Sequence, residues 1–138
     1  FDLALCEYLD RELGLSILFD IFNYTFTEPI DTSNMDIMLY GMSKKGMDFP
    51  MMQQSTDFYY SFLDDCVQLA KDYSADCFIF TAHIGCKQFG SVVGVLQKLL
   101  REELGIPMLT IDMDVGDKRM TSMQVIRDKV NMFTQTLL

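Results

Sequence analysis

Apolar positions along the chain fall into two patterns. Stripes spaced three or four residues apart predict helices, and short unbroken runs predict buried strands. Phe1, Leu5, Leu9 and Leu13 form the first stripe and Gly14 follows it, so 1–13 is predicted helical with a glycine stop. The run Leu15–Ile21 (LSILFDI) predicts a strand buried on both faces. Pro29, with Thr and Asn residues around it, makes 22–34 a loop. A short helix follows over Met35–Ser43, and Lys44–Pro50 is read as irregular.

The clearest stripe starts near Ser55, where Phe58, Phe62, Cys66, Leu69 and Tyr73 mark one face of a helix. Cys77–Ala82 (CFIFTA) predicts a second strand, and Phe89, Val92, Leu96, Leu99 and Leu100 mark a helix over about 88–104. Gly105 stops that helix, Pro107 forbids its continuation, and Met108–Ile111 (MLTI) predicts a third strand. The last helix opens on a T-x-x-Q capping box, Thr121 with Gln124, and Met120 and Val125 are spaced for a hydrophobic staple. Ile126, Val130, Phe133 and Leu137 form its apolar stripe.

An internal echo supports this order. Leu9–Leu18 (LDRELGLSIL) aligns with Leu100–Leu109 (LREELGIPML), which places Gly14 and Gly105 at the same helix-to-strand turn. Strands separated by helices pair in parallel through right-handed crossovers. The predicted fold is therefore α/β, a Rossmann-like three-layer sandwich with a short parallel sheet of three to four strands. One domain covers 1–138, and because residue 1 already lies inside an amphipathic pattern, it reads as a piece of a longer chain.

Composition narrows the function. The chain is 49% apolar and 22% charged, enough for a sizeable core and too apolar for disorder. No apolar run approaches the roughly 20 residues of a membrane span, and no signal peptide is visible. Eleven basic against 20 acidic residues give a net charge of −9, which argues against a nucleic-acid partner. The acids crowd the N-terminal part, where residues 1–43 hold eight of them and the single base Arg11. Residues 86–138 carry seven bases and six acids, so an anionic ligand is expected to meet that half.

The four cysteines, Cys6, Cys66, Cys77 and Cys86, include no CxxC pair, and the spacing suits neither a disulfide framework nor a zinc site. Cys6 and Cys66 fall on apolar helix faces and Cys77 opens a strand, so these three are expected as buried thiols. Cys86 lies between a strand and a helix, in the loop His83-Ile84-Gly85-Cys86-Lys87-Gln88. Ligands of such sheets bind beyond the C-terminal strand ends. Gly85 lets backbone approach a ligand, and the helix N-terminus and Lys87 both place positive potential beside a thiolate. A nucleophile, a metal ligand and a merely tolerated Cys all remain open at this point. A thiol-phosphatase loop fails because Val92 stands where Arg is needed, and a Walker A loop fails because Ser91 follows Gly90 without Lys. In the loop after the third strand, Asp112, Asp114 and Asp117 do not match an EF-hand. Asp114 or Asp117 is expected to bond loop amides or to pair with Arg119. His83 is expected as a packed loop residue.

The ordered series of His83–Gln88, Glu103–Asp114 (ELGIPMLTIDMD), Asp117, Arg119 and Ile126–Phe133 (IRDKVNMF) resembles the 2-hydroxyacyl-CoA dehydratase family, which also includes the benzoyl-CoA reductase subunits. The likeness is dense over 83–138 and upstream rests on helix–Gly–strand order. It implies a subunit with two Rossmann-like halves around a 4Fe-4S cluster, of which this chain resembles the C-terminal half. Cys86 is then one cluster ligand, the other Cys ligands coming from the preceding half, since Cys6, Cys66 and Cys77 are poorly placed to replace them. Gly85 and Lys87 become cofactor-binding candidates, Lys87 either facing a CoA phosphate or only favouring the thiolate. The implied activity is that of a hydro-lyase, which dehydrates a 2-hydroxyacyl-CoA through a ketyl radical made with one electron from an ATP-dependent activator protein. Implied partners are the acyl-CoA substrate, a homologous second subunit and that activator, in the cytoplasm of an anaerobe, with no nucleic acid and no membrane. A chain with one ligand is expected to be inactive by itself. The competing reading is a non-redox subunit-pairing or accessory module. A flavodoxin-like binding domain is disfavoured, because Asn23–Thr27 lacks a phosphate-loop glycine.

Overall fold

The apolar stripes form helices where expected, and the runs form strands only where a neighbouring ladder accepts them. The computed structural model describes residues 3–21, 28–114, 116–117 and 119–137, without the side chains of 50, 51, 54–56 and 58. Phe1, Phe58 as a stripe residue, and the 22–27 part of the predicted loop lie outside that description. Two compact units are present, Phe1–Leu18 with Ala70–Leu138, and Phe19–Leu69.

In the first unit, β1 (Phe78–His83) and β2 (Met108–Met113) pair in parallel, from Phe78 opposite Met108 to His83 opposite Met113. The crossover is α4 (Lys87–Leu99), extended by a π-helical turn over Leu100–Leu104. Alternation along the strands separates two packing faces. Phe78, Phe80 and Ala82 are buried, and the Phe80 ring lies 6.1 Å from that of Phe89 on α4. Leu109 and Ile111, together with Ile79, pack with Leu5, Tyr8 and Leu9 of α1 (Leu3–Arg11) and with Ile126 and Val130 of α5 (Met123–Thr134). Burying each such side chain is worth about 1.5–3 kcal/mol. A polar clasp joins the same two helices. The Tyr8 hydroxyl donates to Asn131 Oδ1 at 2.5 Å, and the Arg127 guanidinium sits 4.5 Å over the Tyr8 ring.

The internal echo holds as far as its glycines. Gly14 and Gly105 both adopt left-handed backbone, φ 66° and 70°, where a Cβ would be strained. Their caps match bond for bond. Gly14 N–H donates to the Asp10 carbonyl and Leu15 N–H to that of Leu9, while Gly105 donates to Arg101 and Ile106 to Leu100. Beyond the glycines the copies part. Ile106-Pro107 leads into β2, with Phe78 N–H bonding the Pro107 carbonyl at 3.0 Å, whereas the predicted strand Leu15–Ile21 is not a strand. Ile17 and Leu18 are 47% and 46% exposed. An apolar run becomes a strand only when an adjacent ladder takes its backbone groups. The described residues contain a two-stranded open parallel sheet, so the expectation of a three- to four-stranded Rossmann-like sandwich is corrected to a mixed helix–strand fold with two strands.

The start of α5 is also corrected. Ser122, not Thr121, is its N-cap, accepting from Val125 N–H at 3.3 Å. Thr121 Oγ1 is engaged elsewhere, donating to the Asp112 carbonyl at 3.1 Å, and the Gln124 amide donates to Asp128 rather than reaching back. With the cap moved by one residue the staple is out of register, and Met120 and Val125 are both exposed.

The second unit holds α2 (Met35–Met47) and most of α3 (Pro50–Asp72). Asn34 caps α2 by accepting from Ile37 N–H at 2.9 Å. The helix runs past Ser43 into the stretch expected to be irregular, because Lys44 and Lys45 complement its C-terminal dipole and Lys44 pairs with Asp48. Pro50 opens α3, a position where its missing N–H costs nothing. Asp57 (φ −145°, ψ 58°) interrupts α3, close to the predicted helix start at Ser55. Phe62, Cys66 and Leu69 of its stripe are buried, while Tyr73, just beyond it, is exposed. Among the described residues no helix is long and apolar enough to cross a membrane.

Candidate functional site

The chemistry-bearing residues gather at the C-terminal ends of β1 and β2, where each strand feeds a helix. After β1 the chain turns within three residues, 84–86, and backbone bonds do the holding. Ile84 N–H donates to the Met113 carbonyl at 3.0 Å, one step past the ladder. Cys86 N–H donates to the His83 carbonyl at 2.8 Å and closes a tight turn, and Gly90 N–H donates to the Cys86 carbonyl at 3.1 Å to begin α4.

Cys86 is therefore the N-cap residue of α4, in extended backbone (φ −96°, ψ 98°). A Ser, Thr, Asp or Asn there would spend its side chain on the first-turn amides. The Cys86 side chain makes no such bond; it is a free, half-buried thiol. Lys87 follows as the first helical residue and is exposed. Gly85 is exposed as well, and a Cβ there would stand tight against the His83 imidazole, 3.2 Å away. His83 Nδ1 in turn lies 3.3 Å from the Met113 carbonyl oxygen.

The loop after β2 behaves as the residues suggested. Asp114 Oδ1 accepts from the amides of Gly116 and Asp117 at 2.8 and 3.0 Å. Asp117 takes the Arg119 side chain in a two-pronged pair, 2.8 Å from Nε and 2.7 Å from Nη2, and also accepts the Arg119 amide. The Arg119 guanidinium, and then its backbone N–H, hold the Asp117 carboxyl below the usual range. These carboxylates are occupied.

The other thiols divide differently from the expectation of three core cysteines. Cys66 is fully buried, and burial, with the Asp65 charge adding to it, pushes its thiol well above the ordinary value. Cys77 is half-buried just before β1, and burial followed by Asp76 pushes its thiol up as well. Both environments disfavour the thiolate that a metal requires. Cys6 is also half-buried, because it borders an open groove with Glu7, Asp10, Arg11, Ser16 and Ile17. The sequence reading missed this groove, since its lining joins a helix face to a run read as a buried strand.

A family model for the 2-hydroxyglutaryl-CoA dehydratase D-component matches residues 2–137. The chain belongs to that family. The match reaches well upstream of 83–138, where the sequence resemblance was dense, and takes in both compact units. Searches of curated proteins and of solved structures return no match. An iron–sulfur cluster in this family calls for several thiolates. Among the described residues no group of three or more His, Cys, Asp or Glu side chains could hold a metal ion, and the 83–88 loop offers a single thiol. These residues fit one ligand position and not a whole cluster site.

Proposed function

We propose that this chain is a domain of an iron–sulfur 2-hydroxyacyl-CoA dehydratase subunit, with Cys86 as one thiolate ligand of a 4Fe-4S cluster. The observation that carries the proposal is the Cys86 side chain itself. It occupies an N-cap position at the end of β1, yet it is not used for capping, in a chain that matches the D-component family along its length. The backbone fixes the residue at both its N–H and its carbonyl, so the sulfur can serve a ligand without releasing the helix.

On this reading the cluster supplies one-electron chemistry when bound. The substrate is a 2-hydroxyacyl-CoA thioester, dehydrated by way of a ketyl radical. Lys87, exposed at the first turn of α4, is the cation for a CoA phosphate, and Gly85 keeps the turn short. The remaining ligands come from the preceding half of the subunit, and the other members of the assembly are a homologous second subunit and an ATP-dependent activator. A polypeptide offering one thiol is inactive without them.

The test is iron and acid-labile sulfide content of the full-length gene product after anaerobic purification, with and without Cys86→Ser. Loss of most of the iron in the variant is expected. Unchanged iron would remove Cys86 from the ligand set, and a parent protein purified without iron and sulfide would favour the non-redox pairing module. That second reading draws on α2, in which no residue is buried and Met35, Leu39, Tyr40 and Met42 are exposed.

A further inference from the structure

His83 links the end of β1 to the turn that carries Cys86. The Met113 carbonyl oxygen receives two groups of this segment, the Ile84 N–H at 3.0 Å and His83 Nδ1 at 3.3 Å. A carbonyl has two lone pairs and can accept both. Nδ1 can bond this oxygen only as an N–H donor, which leaves Nε2 without a proton in the neutral ring. The Nε2 side of the ring lies on Gly85. A Cβ at that position would stand 3.2 Å from Nε2, 3.6 Å from Cε1 and 3.7 Å from Cδ2. Backbone strain is not what calls for glycine there, because positive φ among the described glycines is confined to Gly14 and Gly105. The imidazole is what crowds a side chain there, and its ring would have to give by a few tenths of an ångström.

We infer that His83 and Gly85 form a matched pair that sets the position of the Cys86 thiol. His83 is a positioning residue, tied to β2 through Nδ1, and Gly85 is the residue that gives its ring room. The turn is thereby held by the β2 carbonyl and by the Cys86 N–H bond to the His83 carbonyl, and Gly85 leaves the ring room to reach the first. Ligand groups held by their neighbours bind metals better than mobile ones, since less ordering remains to be done on binding. The purpose assigned to the pair rests on the reading of Cys86 as a ligand. Its geometry does not.

The experiment measures the alkylation rate of Cys86 by iodoacetamide, resolved by peptide mass spectrometry, in iron-free full-length protein at one pH. Thermal melting is recorded in parallel. His83→Ala removes the Nδ1 bond and should raise the rate about fivefold, the population shift that one lost hydrogen bond gives. His83→Asn keeps an N–H donor near Nδ1 while removing the ring edge over Gly85, and should stay within about twofold of the parent. Gly85→Ala should raise the rate about fivefold by forcing the ring aside, and that effect should vanish in the H83N background. Equal rates for H83A and H83N would overturn the inference, as would a Gly85→Ala effect of the same size in both backgrounds. If H83A fails to fold, the comparison of G85A with H83N/G85A still decides. Iron content of anaerobic H83A and H83N protein gives a second readout, with loss expected in the first and retention in the second. Should Cys86→Ser leave iron unchanged, the ligand reading falls while the alkylation pattern still judges the pair.

Discussion

Two loops leave the same edge of the sheet from adjacent parallel strands, and they use their side chains in opposite ways. After β1, three residues make the connection, and the bonds that close it are backbone N–H to carbonyl, with His83 as the one side chain that helps. After β2, nine residues (114–122) make the connection, and beside one backbone bond, Met120 N–H to the Asp117 carbonyl, carboxylates and hydroxyls hold it: Asp114 on two amides, Asp117 on Arg119, Thr121 on the Asp112 carbonyl, Ser122 on Val125. Loop length explains the difference. A short turn closes on its own backbone, whereas a longer loop has N–H groups with no nearby carbonyl and draws on Asp, Ser and Thr to satisfy them. Functional side chains are therefore free where the backbone closes the loop and committed where it does not. Cys86 and Lys87 belong to the first case, and the aspartates to the second.

The comparison depends on a shared base, and Ile111 is its centre. It is fully buried in β2 and packs in the core with α1 and α5. Ile111→Ala is expected to cost about 3 kcal/mol, a transfer loss plus a cavity. Urea denaturation measures it, and both loops should lose amide protection together. A cost below about 1 kcal/mol, or loss of protection in one loop alone, would show that the two do not rest on a common core.

Much of this arrangement was legible from residue types alone. The stripes of α1, α4 and α5 locate three helices, the echo marks Gly14 and Gly105 as helix stops, and the pattern places Cys86 between a strand and a helix. Asp114 and Asp117 were read as loop-bonding residues because three carboxylates without a distal Glu do not make a calcium loop. The failures have one physical cause each. Leu15–Ile21 carries a strand pattern, but a pattern does not supply a partner ladder, and Ile17 and Leu18 remain half-exposed. Thr121 and Ser122 are both competent caps, and the sequence could not show that the Asp112 carbonyl would take the Thr121 hydroxyl. The seat of the His83 ring on Gly85 was hidden for a similar reason. It depends on a carbonyl from β2, thirty residues away along the chain.

Asp114 and Ser122 test the claim that the second loop is held by its side chains. Asp114→Ala removes the acceptor of two amides and should cost about 1 kcal/mol, with faster hydrogen exchange at Gly116 and Asp117. Iron content of the anaerobic full-length protein should not change. A fall in iron matching that of Cys86→Ser would mean that Asp114 also serves the cluster site, and the division between the loops would fail. Ser122→Ala should cost a similar amount, about 1 kcal/mol, as a lost N-cap. Thr121→Val, which removes a hydroxyl donated to an exposed strand-end carbonyl, should cost less. The reverse order of the two variants would restore Thr121 as the cap.

The smallest effect belongs to Asp117, and its sign is fixed by its partner. The Arg119 side chain lowers the Asp117 carboxyl from its ordinary value of 3.8, so the ionised form is favoured in the folded state. A carboxylate whose folded value is depressed adds stability that is complete above the unfolded value and fades as pH falls through the folded one. The contribution is therefore present at neutral pH and lost only in the acid range below about 4. Arg119 is exposed and Asp117 half-buried, so salt should weaken the pair. In an NMR titration of the side-chain carboxyl, Asp117 should have a midpoint below that of an unpaired Asp. Arg119→Gln should raise it most of the way toward the ordinary range, the residue-119 amide still bonding the carboxyl, and high salt should raise it by less. If the midpoint does not move in Arg119→Gln, the guanidinium is not what occupies this carboxylate. Asp117 would then be held by the residue-119 amide alone, and the contrast between the two loops would rest on Asp114, Thr121 and Ser122.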